Sequence, residues 1–177
     1  MLLSIAGYID LRFADETGFS LTPNIPYGWI REKEQGGIPC EKGGNLNVFG
    51  LLNLKGELTS YPTSENINSE KIIAFLDDYV DSIKQMTVVV VDNAPWHTSK
   101  AIENKIKEWE EKSLYLFYLP VYSPHLNLIE TLWRKMKYEW LKPEDYLSKE
   151  TLHEAVLNML NNYDKSEFSI QFSINCV

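Results

Sequence analysis

The run of four valines at positions 88–91 restricts the fold of this 177-residue chain more than any other sequence feature. All four side chains are β-branched and no polar residue alternates with them, which is typical of a central strand buried on both faces of a sheet. Such a sheet is covered by helices on both sides. Asp92 follows the last valine. The pattern therefore predicts an acidic side chain at the carboxyl end of a central strand.

Four further segments have strand-like patterns. Residues 8–15 alternate apolar and polar side chains, as a half-buried strand does, and Asp15 falls on the apolar face. Two apolar stretches separated by Lys55 and Gly56 predict a hairpin with a tight turn, and Pro120 ends another apolar stretch. The predicted strands are residues 8–15, 46–54, 57–61, 88–91 and 114–119.

Four segments have the three-and-four spacing of apolar residues that amphipathic helices show. They begin near residues 68, 99 and 127 and after residue 148, and Asn68 can cap the first of them. The order of elements predicts an α/β fold, a mixed five-stranded sheet flanked by helices, in which three antiparallel strands lead into parallel crossovers. Ligands of such sheets bind near the carboxyl ends of the central strands, where we expect both Asp15 and Asp92.

The composition indicates one globular domain spanning residues 1–177, with an inserted arm at about residues 22–45 that is rich in proline and glycine. The net charge of −8 repels nucleic acid and anionic membranes, so a phosphate substrate has to be held locally. No apolar run reaches the roughly 20 residues of a membrane span. The two cysteines, Cys40 and Cys176, are typical of a reducing compartment. We therefore expect a cytoplasmic protein with no membrane partner.

Three segments each place an acidic residue beside the predicted core, namely Asp15, Asp92 and Glu130. Carboxylates in close contact repel each other by roughly 4 kcal/mol per pair at an effective dielectric of about 20, so a cluster persists only when it is protonated or bound to cations. Oxygen ligands favour Mg²⁺ or Mn²⁺, and two such ions about 4 Å apart can promote an in-line phosphodiester displacement. The three acids therefore indicate metal-dependent phosphoryl chemistry.

Each acid also has a purely structural interpretation. Asp15 can cap a turn after an edge strand, and Asp92 with Asn93 forms a common turn pair. Asn127 followed three residues later by Glu130 matches an N-terminal capping pattern, in which the glutamate serves only the helix end. A carboxylate that closes an all-valine strand needs a partner, however, and this favours a function for Asp92.

Basic residues and a histidine accompany the acids. Arg134 and Lys137 lie four and seven residues after Glu130 on the same helical face, which suits contact with a DNA phosphate backbone. An ordinary surface ion pair between Glu130 and Arg134 is the alternative. His97, five residues after Asp92, is compatible with a contact to phosphate or to a metal site, and equally with a backbone hydrogen bond where a helix begins.

Together these segments resemble the catalytic half of DDE transposases, specifically the bacterial insertion-sequence group allied to mariner, the IS-six-thirty group. DETGF around Asp15, VVVDNAPWH around Asp92 and YSPHLNLIETLW around Glu130 resemble blocks of that family, in the family's order. The resemblance implies a ribonuclease-H-like fold in which the three acids form a catalytic triad. It also implies that this triad binds two Mg²⁺ or Mn²⁺ ions.

The resemblance implies roles for other residues as well. Asn93 and His97 would line the site, Asn127 would position the helix that carries the glutamate, and the arm would act as a clamp or a DNA-contacting insertion. Family members normally carry an N-terminal helix-turn-helix region, whereas this chain begins barely ten residues before the first catalytic strand. We therefore expect that region to be absent and a separate DNA-recognition portion to be needed.

The function implied by the resemblance is that of the catalytic domain of a cut-and-paste DNA transposase, which cleaves and transfers DNA strands at element ends. Its partners would be DNA, both the transposon ends and the target, and a second copy of the chain in a homodimer. Two alternatives remain open at this point. One is an inactive remnant that serves as a DNA-binding or dimerisation module, and the other is a general metal-dependent nuclease of the same fold.

Overall fold

A five-stranded mixed sheet forms the centre of the protein in the computed structural model, which describes residues 1–22, 45–95, 97–121, 123–165, 168–170 and 172. The strands are β1 Asp10–Phe19, β2 Leu46–Asn53, β3 Leu58–Thr63, β4 Thr87–Val91 and β5 Leu114–Tyr118. Their order across the sheet is β3-β2-β1-β4-β5. β1, β2 and β3 are antiparallel neighbours, whereas β4 is parallel to β1 and to β5. The predicted mixed sheet is therefore confirmed.

Helices cover both faces of the sheet. The α-helices in the described part of the chain are α1 Leu2–Ile5, α2 Ser69–Val80, α3 Lys100–Glu111, α4 Ile129–Lys135 and α5 Lys149–Asn161. α2 and α3 pack on one face, and α4 and α5 pack on the other. The predicted cap of α2 is confirmed, since the Asn68 side chain accepts a backbone hydrogen bond from Lys71. Ser99 and Ser148 cap α3 and α5 in the same way.

Three features at the margins complete the description. The sequence patterns did not predict α1, none of whose residues is buried. No helix among the described residues is long and apolar enough to cross a membrane. The predicted arm at residues 22–45 lies outside the described residues except at its two ends, and so do Cys40 and Cys176.

β1 is longer than the sequence pattern predicted. It continues past Asp15 to Phe19, because β2 supplies antiparallel partners for this second half. The expectation that Asp15 lies at a strand end is therefore wrong for β1 as a whole. Parallel pairing with β4, however, stops at Phe13 opposite Val90. Continuing that register by two residues places Asp15 level with Asp92, beyond the parallel part of the sheet.

The start of α4 also differs from its prediction. Leu128 is the N-cap residue, and its side chain makes no capping hydrogen bond. The side chain of Asn127 instead donates from Nδ2 to the carbonyl oxygen of Ala14, at 3.0 Å, and both residues are buried. The capping interpretation of Glu130 is therefore wrong, because the Asn127 side chain joins α4 to β1.

Gly50 allows α4 to approach the sheet closely. It lies opposite Asp15 in the β1–β2 ladder. A Cβ atom at position 50 would come within 2.8 Å of the Trp133 ring and 2.9 Å of the Ile129 side chain, both on α4. A larger residue would have to push the helix outward. The glycine therefore brings α4, and with it Glu130, towards Asp15.

Candidate active site

Asp15 lies within β1, on the sheet face that α4 and α5 cover, and it is partly buried. The pKa of Asp15 is raised from 3.8 to about 8, mainly by burial and next by the negative charge of Glu16. A backbone hydrogen bond opposes this increase, and the charges of Asp92 and Glu130 make smaller contributions to it. Asp92 and Glu130 are therefore close enough to Asp15 for their charges to affect its pKa.

Asp92 follows β4 directly, at the start of the turn that leads to α3. Its Oδ1 atom accepts two hydrogen bonds, one from the backbone N–H of Ala94 at 2.9 Å and one from Nδ1 of His97 at 2.7 Å. Asn93 donates from Nδ2 to the carbonyl oxygen of Leu119, which ties this turn to the end of β5. The Asp92 side chain is 50% exposed. The carboxylate is therefore held by the protein through one oxygen and remains accessible to a ligand.

Glu130 lies on the first turn of α4 and lines two adjacent hollows. The larger hollow, of about 480 Å³, is also lined by Asp15, and the smaller, of about 260 Å³, is also lined by Asp92. Partial burial raises the pKa of Glu130, and the charge of Asp92 raises it further. Glu130 therefore connects the part of the site that contains Asp15 with the part that contains Asp92.

The chemistry of these donors fits Mg²⁺ or Mn²⁺, because both ions prefer oxygen ligands. Oδ1 of Asn127 adds a further oxygen, since it is buried without a hydrogen-bond partner among the described residues and Asn127 lines the hollow that contains Asp15. Within the described ranges, no group of three His, Cys, Asp or Glu side chains is arranged to hold one ion. Repulsion between like charges favours such a separation of the carboxylates.

Arg134 and Lys137 line the larger hollow together with Asp15 and Glu130. Nζ of Lys137 lies 5.5 Å from the centre of the Phe19 ring. Burial lowers the pKa of Lys137, and the nearby Asp15 charge opposes this decrease. Across the residues that the structure describes, no ion pair joins Glu130 to Arg134. The surface-pair interpretation is therefore wrong, and both basic side chains border the same hollow as Asp15 and Glu130.

Glu16 is a residue of this region that the sequence analysis missed. It follows Asp15 in β1, so the alternation of side chains places it on the opposite face of the sheet, towards α2 and α3. Its Oε2 atom lies 3.4 Å from Nε2 of His97, and the His97 side chain is only 2% exposed. The period of two could have assigned Glu16 to this face. No local pattern, however, pairs it with a histidine so far away in the chain.

His97 contacts two carboxylates, those of Glu16 and Asp92. Burial lowers the pKa of His97, but the two carboxylates beside the ring raise it by more, so the pKa lies above 6.5. Because a carboxylate oxygen can only accept, Nδ1 of His97 carries the proton in the bond to Asp92. The histidine therefore lies directly behind the site, with its side chain bonded to one of the three acids.

Comparison with known proteins gives both a family and a fold. A family model described as DDE superfamily endonuclease matches residues 10–153. The structure is similar to the Mos1 strand transfer complex, at 17% identity and a TM-score of 0.60 over 94% of this chain and 51% of that chain. It is also similar to the Mos1 transposase paired-end complex with left transposon end, at 16% identity and a TM-score of 0.60 over 92% of this chain and 52% of that chain.

A third similar structure is that of the Mos1 transposase catalytic domain and raltegravir with Mg, at 14% identity and a TM-score of 0.51 over 87% of this chain and 71% of that chain. The chain spans about half the length of the chains in the two Mos1 complexes. No protein with curated annotation matches it in sequence. The structural similarities confirm the predicted ribonuclease-H-like fold.

Proposed function

Because the chain belongs to the DDE superfamily endonucleases, we propose that it is the catalytic domain of a cut-and-paste DNA transposase of the IS-six-thirty group. The observation that carries this proposal is that Glu130, on α4, lines one hollow with Asp15 of β1 and a second hollow with Asp92, which follows β4. In the reaction, a water oxygen attacks the phosphorus at the element end and the 3′ oxygen leaves. The 3′ hydroxyl so released then loses its proton and attacks a phosphorus of the target strand, and the 3′ oxygen of the target strand leaves and takes up a proton.

Asp15, Asp92 and Glu130 would hold two Mg²⁺ or Mn²⁺ ions. When bound, these ions would supply the Lewis acid that stabilises the charge developing on the phosphodiester. Asn127 would keep Glu130 near Asp15 through its bond to the Ala14 carbonyl. Asn93, through its bond to β5, would hold the turn that carries Asp92. Both asparagines thus act on the position of the acids.

DNA is the proposed partner. Arg134 and Lys137 border the hollow that contains Asp15 and Glu130, where they would bind phosphates of the transposon end or the target. The Mos1 structures include a paired-end complex with a transposon end and a strand transfer complex. By analogy, we propose a homodimer in which each chain works with a DNA-recognition portion.

The test is a strand-cleavage assay on supercoiled plasmid with Mn²⁺ or Mg²⁺. We expect nicking by the wild type and its loss in Asp15→Asn, Asp92→Asn and Glu130→Gln. The matched control is Glu139→Gln, an identical change in the helical continuation of α4, where the side chain is 57% exposed and pairs only weakly with Lys135. Equal nicking by Glu130→Gln and the wild type would contradict the assignment.

A second assay separates the transposase from the general nuclease. A labelled oligonucleotide with a free 3′ hydroxyl is incubated with plasmid and the same ions. Covalent joining of the oligonucleotide to plasmid, lost in Glu130→Gln, is the result expected of a transposase. Progressive shortening of both DNAs with no joined product would favour the nuclease. DNA binding that is indifferent to divalent ions and to all three acids would favour the inactive remnant.

A further inference from the structure

A buried histidine connects the proposed site to a carboxylate on the other face of the sheet. Nδ1 of His97 lies 2.7 Å from Oδ1 of Asp92, and its Nε2 lies 3.4 Å from Oε2 of Glu16. The exposed fraction of the side chain is 2% for His97, 20% for Glu16 and 50% for Asp92. Glu16 on β1 therefore contacts the buried His97, and His97 contacts the accessible carboxylate of Asp92.

Hydrogen bonds on both sides fix the backbone of His97. Its carbonyl oxygen accepts from the Tyr118 hydroxyl at 3.0 Å, which ties it to β5. Its N–H donates to the Ala94 carbonyl at 2.9 Å, which closes the turn after Asp92. With the backbone fixed and the ring enclosed, the imidazole has little freedom to turn away from the two carboxylates.

Both hydrogen bonds to Asp92 end on the same atom, Oδ1. Two donors on one oxygen set the rotation of the carboxylate about its Cβ–Cγ bond, and this sets the direction of Oδ2. Groups that orient a metal ligand in this way change metal affinity without touching the ion. A carboxylate on the far side of a histidine fixes the ring orientation of that histidine in turn.

We propose that Glu16 and His97 are positioning residues that orient Asp92 for divalent metal binding, with Glu16 acting through His97. This inference rests on the proposed function, because it takes Asp92 to be a ligand of the ion. It assigns Glu16, the second residue of the DETGF block, a role separate from that of its neighbour Asp15. Asp15 faces α4 from one side of β1, and Glu16 faces His97 from the other.

The test measures Mn²⁺ affinity by titration calorimetry on the full chain after treatment with EDTA. The variants are Glu16→Gln, His97→Gln and the double variant, with Asp92→Asn to identify the site. Glu103→Gln is the matched control, because it makes the same change at an exposed position in the first turn of α3. Melting in EDTA checks that each variant is folded. Glu16→Gln preserves size and shape, so it decides the question even where His97→Gln does not fold.

We expect Glu16→Gln to weaken Mn²⁺ binding by about 10-fold or more, with Glu103→Gln equal to the wild type. Because Glu16 acts through His97, the double variant should bind no more weakly than His97→Gln alone. Wild-type Mn²⁺ affinity in Glu16→Gln, or full additivity in the double variant, would overturn the positioning role while leaving the proposed function intact. Mn²⁺ binding that is absent, or unaffected by Asp92→Asn, would overturn both.

Discussion

Asp15 has a folded-state pKa of about 8, far above its ordinary value of 3.8. Between these two values the folded state binds more protons than the unfolded state, so the free energy of unfolding decreases as pH rises. The raised pKa of His97 acts in the same direction. Its contribution is complete below 6.5 and is lost as pH rises through the folded-state value. In EDTA, we therefore expect the melting temperature to fall between about pH 5 and pH 8.5.

Asp15→Asn tests the source of this pH dependence, because it removes the proton that the folded state gains. The slope of melting temperature against pH should become flatter, with a remainder from His97, and the variant should be the more stable protein near pH 8.5. Asp81→Asn, at a side chain that is 72% exposed, should retain the wild-type slope. An unchanged slope in Asp15→Asn would show that the carboxyl is already ionised near neutral pH.

Asn127 contributes a single buried hydrogen bond between two elements that carry acids. Asn127→Ala leaves the Ala14 carbonyl without its partner, so we expect a loss of about 1 to 3 kcal/mol in the free energy of unfolding. Asn47 is the matched control, since its Nδ2 makes the same kind of bond to the Glu65 carbonyl at 3.0 Å but in an exposed position. Denaturant unfolding of Asn47→Ala should show a change within about 0.5 kcal/mol. Equal losses of unfolding free energy in Asn127→Ala and Asn47→Ala would show that burial does not make the Asn127 hydrogen bond more important for stability.

At the scale of elements, the contact between α4 and the sheet depends on Gly50. In Gly50→Ala the new Cβ atom would meet the Trp133 ring at 2.8 Å, and the rigid indole can relieve this only if α4 moves. We expect a loss of about 1 to 3 kcal/mol, together with reduced nicking because Glu130 moves with the helix. Gly18→Ala is the control within the same sheet. Its Cβ would meet the end of the Asn47 side chain at 3.0 Å, which can rotate away.

Denaturant unfolding and the plasmid assay measure the two effects of Gly50→Ala separately. A variant that keeps wild-type nicking while losing stability would show that the position of α4 does not control the site. If Gly50→Ala kept both wild-type stability and wild-type nicking, α4 and the sheet would be less tightly packed at Gly50 than the 2.8 Å distance indicates. In Gly18→Ala, both quantities should stay close to wild type.

Elements whose determinants are local could be predicted from the sequence. The caps at Asn68, Ser99 and Ser148 are each set by a side chain and a backbone N–H three residues later. The second half of β1 could not be predicted, because the strand that pairs with it among the described residues is β2, which residues 23–44 separate from it in sequence. The capping interaction predicted for the start of α4 was wrong for the same reason. The Asn127 side chain bonds the carbonyl of Ala14, which belongs to β1 and is remote in sequence.

The candidate site follows the same rule. The three acids could be found because each adjoins a strong local pattern in a family-like block. The position of Asp92 at the end of a buried strand could be predicted from the run of valines. The raised pKa of Asp15 could not, because it depends mainly on burial in the folded protein. The contact of Glu16 with His97 required the packing of α3's entry turn against β1. Sequence patterns therefore identify which groups face the core, and the tertiary structure decides which groups meet.

At the scale of the whole molecule, a net charge of −8 opposes DNA binding. Binding then depends on a few cations placed beside the site. Arg134 and Lys137 are the basic side chains that line the hollow containing Asp15 and Glu130. Each phosphate contact releases counterions, so the slope of log binding constant against log salt concentration reports how many contacts form. A protein with this charge distribution should show a shallow slope, set mainly by these two residues.

We therefore expect Arg134→Gln and Lys137→Gln each to reduce the magnitude of that slope by about 1. The measurement is fluorescence anisotropy of a labelled DNA duplex at several salt concentrations, with the divalent ion held constant. Lys100→Gln removes a positive charge at an exposed position in α3, away from the hollow, and should leave the slope unchanged. Equal slopes for Lys137→Gln and Lys100→Gln would mean that DNA follows a different surface. The phosphate path would then have to be sought away from α4, because net charge changes equally in both variants and only position distinguishes them.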